Sequence, residues 1–112
     1  MDAELVRREA HAHCQALLAG DIDAAANQLS HELRSNLGSV IPLLPLPLTE
    51  ASVESVEPGG SSYLAILRLV GETDVVRLQT RWKERDGKPT IVEASHVSAE
   101  PAPQEEPAEP EA

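Results

Sequence analysis

With 112 residues the chain has room for one domain, which can bury about 65% of its unfolded surface and so fold without metal or disulfide staples. Its 41% hydrophobic content includes only 2% aromatic, Tyr63 and Trp82 with no Phe, which leaves Leu, Val, Ile and Ala to build the core. Residues 99–112 hold five Glu and no base; the first 98 residues hold 14 acids against 9 bases, and this balance argues against a nucleic-acid partner, which needs clustered Lys and Arg.

Residues 3–19 carry Leu5, Val6, Ala10, Cys14, Leu17 and Leu18 close to one face at helical spacing, with Arg7, Arg8, His11 and Gln15 mostly opposite. Gly20 is placed to end that helix in a left-handed cap, and Asp21 to accept hydrogen bonds from the first free amides of the next. Residues 22–29 read as a short second helix, with Ile22, Ala25, Ala26 and Leu29 inward. Ser30 is a candidate cap for a third segment, His31 to Leu37. Leu33, Leu37, Val40 and Ile41 continue its apolar stripe until Pro42, Pro45 and Pro47 forbid a regular helix. Val40 to Leu48 is therefore expected to be an irregular lid or packing loop. At nine residues with three prolines it is too short and too broken to span a bilayer, and no membrane partner is expected.

Four strands follow. Thr49 to Glu57 comes first, then a Pro58-Gly59-Gly60-Ser61 turn, then Ser62 to Val70. Gly71-Glu72 turns the chain into the third and longest strand, Thr73 to Arg85. Asp86-Gly87 is the strongest hairpin signal, and Lys88 to Val97 is the fourth strand. Short turns between consecutive strands imply an antiparallel meander. The third strand alternates cleanly, with Arg77, Gln79, Arg81, Lys83 and Arg85 on one face and Val76, Leu78, Thr80 and Trp82 on the other. The second is apolar on both: Tyr63, Ala65, Leu67 and Leu69 oppose Leu64, Ile66 and Val70 around Arg68. Such a strand needs cover on both faces. Helices supply one cover and a second subunit the other, which makes Leu64, Ile66, Arg68 and Val70 the candidate face of a homodimer.

The expected architecture is α+β, with N-terminal helices packed on a curved, cone-like, antiparallel four-stranded sheet over residues 1–98. Residues 99–112 alternate Pro and Glu with Ala and hold no large apolar side chain, so they are expected to be a disordered tail.

The Ala16 to Ala26 run, with its Gly-Asp break, and the strand–turn–strand run from Thr73 to Val97 resemble the nuclear transport factor 2-like superfamily, which includes the SnoaL-like polyketide cyclases and the ketosteroid isomerases. The likeness covers about residues 3–98. It implies a cone in which a bent sheet wraps a long first helix and leaves a pocket at its open end. It also implies frequent dimerisation through the outer sheet face. The chain departs from the family in having fewer strands and few of the aromatic residues that line many such pockets.

Candidate chemistry is sparse. His11, His13 and Cys14 are close in sequence, but positions two apart on a helix point about 200° apart, so the two histidines cannot share an ion. They are read as solvent-facing or rim residues, and Cys14 as a small core residue rather than a nucleophile. No metal and no cofactor is expected. The candidate pocket residues are Tyr63, Trp82 and His96. The aromatic pair is either a pocket floor or core filling; His96 is either a general base, as in ketosteroid-isomerase-like members, or a histidine facing solvent or a dimer seam. The row Arg77, Arg81, Lys83 and Arg85 is read as a solvated face paired with Glu54, Glu57 or Glu93 on neighbouring strands. A lone cysteine and an N-terminus without a basic, apolar leader point to the cytoplasm. The expected function is a small non-catalytic ligand-binding or protein-interaction module; the alternative is a SnoaL-like enzyme acting on a small apolar substrate by general acid–base catalysis.

Overall fold

Asp2 begins the first helix by accepting the Leu5 amide at 2.8 Å, and the computed structural model describes the chain from Met1 to Pro101. Helix α1 (Ala3–Leu18) buries Val6, Ala10, Cys14 and Leu17, a stripe at the spacing that a 3.6-residue period places on one face. Gly20, at φ +76°, turns the chain out of it, a conformation that a side chain with a Cβ resists. Asp21 then caps α2 (Ile22–Ala26) by accepting the Ala24 amide at 3.1 Å. The expected second helix reaches residue 29, but α2 stops at Ala26. The reason lies in the sheet: Ser30 N–H and Ile91 N–H donate to the Ile91 and Gln28 carbonyls, so residues 28–30 pair as a short bridge with the last strand. Ser30 caps α3 (His31–Arg34), and α4 (Leu37–Val40) runs into one 3₁₀ turn over Ile41–Leu43.

The strands are β1 (Leu48–Gly59), β2 (Ser62–Gly71), β3 (Asp74–Arg85) and β4 (Lys88–Pro101), and they form an open antiparallel meander in that order. The Asp86-Gly87 hairpin has positive φ at both residues, 52° and 81°, as a two-residue turn of this kind requires. The register slips over Thr49 and Glu54 in β1 and over Val92 and Val97 in β4. All four bulges sit on the two edge strands, where each bends its strand and raises the local twist. The fourth strand continues four residues past Val97, because Ala99, Glu100 and Pro101 pair with Val76, Val75 and Asp74. Three residues assigned to a disordered tail thus belong to the sheet; residues 102–112 lie outside the described residues.

Helix α1 packs on β1 and β2, and the core lies between them. Ala65, Leu67, Leu69, Val76, Leu78, Trp82 and Ile91 supply the sheet's share. The proline-rich segment also closes on the sheet: Leu43 and Leu44 pack on the core, and Pro45 crosses so near Gly71 that a Cβ there would collide with the Pro45 carbonyl. Among the described residues no helix is long and apolar enough to cross a membrane.

Candidate functional site

Tyr63 and Trp82 face each other across β2 and β3. Trp82 is wholly buried and donates its indole N–H to Thr80 Oγ1 at 2.8 Å; Thr80 in turn donates to the Ala65 carbonyl at 2.9 Å. Tyr63 is half-buried against the same core. His96 pairs with Leu78, four residues along β3 from Trp82, which is about 13 Å away at strand rise. It is exposed, and its Nε2 lies 2.7 Å from the Leu43 carbonyl, so it donates there and ties the proline-rich segment to β4. The structure brings Tyr63 and Trp82 together and leaves His96 apart.

A different histidine sits beside Trp82. His13, expected to face solvent or a rim, is 5% exposed. It lies three residues after Ala10 and four before Leu17, which puts it on the buried stripe, and its ring meets Trp82 edge-on with centroids 6.4 Å apart. Its Nδ1 is 3.1 Å from Gln28 Oε1, while Gln28 Nε2 donates to the Glu9 carbonyl at 2.9 Å and to Glu9 Oε1 at 3.2 Å. Both partners of the amide nitrogen are oxygens, so the amide oxygen must face His13. Nδ1 is then the protonated nitrogen, and Nε2 of the neutral ring is an acceptor. Burial lowers the His13 pKa, with the Gln28 hydrogen bond opposing it in part.

Among the described residues His13 and Thr80 are the only polar ones around a gap of about 30 Å³ between α1, α2, the α4 segment and the sheet; apolar side chains such as Leu17, Leu29, Leu37 and Ile41 supply the rest. None of Tyr63, Trp82 and His96 lines it. Cys14 is fully buried, and burial pushes its thiol up to about 11, so it carries little thiolate at neutral pH. Among the described residues no three His, Cys, Asp or Glu side chains come together as a metal site.

The other face of the sheet carries charge. Arg68 pairs with Glu50 at 3.3 Å and Arg81 with Glu93 at 3.1 Å. Arg77 holds Glu54 through Nε at 3.0 Å and Glu100 through Nη1 at 3.1 Å, which links β1 to β4 across the full sheet. Leu64, Ile66 and Arg68 are half-buried among these pairs. Val70 differs from them: it is 9% exposed and packs with Val75 in a small separate cluster.

No protein-family model, no curated protein and no solved structure matches the chain.

Proposed function

We propose that the chain is a non-catalytic protein-interaction module, a shortened cone of the nuclear transport factor 2-like kind, which works in the cytoplasm as a homodimer joined through the outer sheet face. One observation carries this reading. The gap enclosed between the helices and the inner face beside Trp82 is only about 30 Å³, and the larger space on that side is a cleft of about 270 Å³ at its edge around His96, whereas the outer side keeps Leu64 and Ile66 half-exposed between arginine–glutamate pairs. A partly apolar patch rimmed by polar groups is the usual composition of an interaction surface. Four strands about 4.8 Å apart and about ten residues long present roughly 600 Å² on that face, near the ~800 Å² per partner of an ordinary interface. An acid–base enzyme of the SnoaL type calls for two titratable groups facing one substrate; among the described residues the gap has His13 alone.

Sedimentation of the full chain at about 100 μM tests the reading, because an interface of that size is occupied there. The wild type is expected to run as a dimer and Ile66→Lys as a folded monomer, since Ile66 lies outside the core cluster. A wild-type monomer would sink the proposal.

A further inference from the structure

The buried imidazole of His13 has a use that self-association does not explain. Its Nδ1 is committed to Gln28, and Gln28 is itself held at two points by Glu9, so the ring is fixed in both tautomer and orientation. Nε2 has no hydrogen-bond partner among the described residues. Ser98 Oγ is the one side-chain polar atom there that is sealed from solvent with no partner, so Nε2 keeps an opening onto space. An acceptor that opens onto a mostly apolar gap meets few donors there.

Water fits that position poorly. A buried water needs two to four polar partners. Of the two polar residues around the gap, Thr80 already spends its hydroxyl proton on the Ala65 carbonyl and accepts from the Trp82 indole. That leaves Nε2 as the one of these two side chains' polar groups with a position wholly unused among the described residues, beside a single spare lone pair on Thr80 Oγ1. The remaining surface is aliphatic: Leu17, Leu29, Leu37, Ile41 and their neighbours.

We propose that this gap is a binding slot for a small apolar molecule that carries one hydroxyl, an alcohol or a phenol, whose O–H donates to His13 Nε2. The polar end of the ligand meets the imidazole, and its apolar body takes the place of missing side-chain contacts. The gap as it stands holds no more than about two water-sized bodies, so the ligand enters by displacing the segment from Leu37 to Leu44. That segment is the lightest cover on the gap. It consists of one four-residue helix and one 3₁₀ turn, and none of its residues is fully buried. Among the described residues a single side-chain hydrogen bond, from His96 to the Leu43 carbonyl, adds to the packing of Leu37, Leu43 and Leu44 in holding it to the sheet. Burial holds His13 in the neutral form that the site requires.

Trp82 is the chain's one tryptophan and touches His13, so its fluorescence reports the slot directly. The test titrates the full chain with phenol and with benzene, following Trp82 emission and the ¹⁵N shift of His13 Nε2. Phenol is expected to bind about 2- to 12-fold more tightly than benzene, the ratio that one hydrogen bond supplies, and to move the Nε2 shift. Equal affinities, or no response to either probe at about 10 mM, would overturn the proposal. His13→Leu should abolish the preference for phenol. Ala94→Leu, which fills the slot from the β4 side and leaves His13 in place, should abolish binding of both probes; tight phenol binding by either variant would also overturn it. Repeating the titration with Ile66→Lys separates the two readings, because the slot lies on the opposite face of the sheet and does not depend on the dimer.

Discussion

The two faces of one sheet are built from the same backbone ladder and stabilised by different physics. On the inner face Ala65, Leu67, Leu69, Leu78 and Trp82 share one core with the buried stripe of α1 and are almost or wholly without exposure. Each large aliphatic side chain buried this way contributes about 1.5–3 kcal/mol. On the outer face Arg68, Arg77 and Arg81 hold glutamates of neighbouring strands at 3.0–3.3 Å with much of each side chain in water. Exposed pairs of this kind contribute about 0–1 kcal/mol each. Stability therefore resides on the inner face, and the outer face can change its residues with little effect on the fold. A surface with that freedom is the one on which recognition can be tuned.

The sharpest way to break the comparison is a matched pair of truncations on β2. Leu67 is fully buried, while its sequence neighbour Ile66 points the other way. Leu67→Ala should cost about 2–5 kcal/mol in urea unfolding, through lost burial and the cavity left behind. Ile66→Ala should cost far less when both are measured in dilute solution. Equal losses would mean that the outer face is as much a core as the inner one.

Much of this division was legible in the sequence. Strict alternation along β3 separates its arginines from Val76, Leu78, Thr80 and Trp82, and the structure keeps that separation residue by residue. Asp21, Ser30, Gly20 and Asp86-Gly87 announce their caps and turns by chemistry that acts within a few residues. What the sequence hid depends on contacts between distant segments. The bridge from Leu29 to Ile91 cuts α2 short, and no local propensity encodes it. The sheet pairing of Ala99, Glu100 and Pro101 was masked by a composition that reads as disordered, because partners on β3 supply the ladder whatever the side chains are. His13 had a signal that polarity obscured: its position between Ala10 and Leu17 puts it on the buried stripe. The Gln28 and Glu9 contacts that make its burial tolerable come from 15 and 19 residues apart in sequence.

His13 also makes the inner face sensitive to acid in a way the outer face is not. In the unfolded chain its imidazole titrates near the ordinary value of about 6.5. In the fold, desolvation lowers that value. Between the two the unfolded state binds more protons, so stability falls as pH falls. The contribution is fully present above about pH 6.5, declines below it, and stops declining beneath the folded value. Glu9 reaches the ring only through Gln28. The difference between wild type and His13→Leu isolates the effect. The wild type should lose stability relative to the variant on going from pH 7 to pH 5, as read by chemical unfolding at each pH. Parallel curves would show that His13 is not buried in its neutral form.

The smallest effect is expected on the outer face, and its smallness is informative. Arg81 donates from Nε to Glu93 at 3.1 Å and from Nη1 to Ser62 Oγ at 2.7 Å, with the arginine side chain 30% exposed and the glutamate 70%. Water competes for both groups and salt screens them. Arg81→Ala should therefore change the stability of the monomer by no more than about 1 kcal/mol, with the difference shrinking as salt is raised. Its larger consequence should appear in self-association. In a dimer joined through this face the pair stands at the rim, where a charge acts on the rate and salt dependence of encounter more than on the fold. A loss of more than about 2 kcal/mol in the monomer, beyond the range of ordinary surface substitutions, would show that the arginine network contributes to the fold itself. The distinction between a face that folds the chain and a face that recognises a partner would then fail at Arg81.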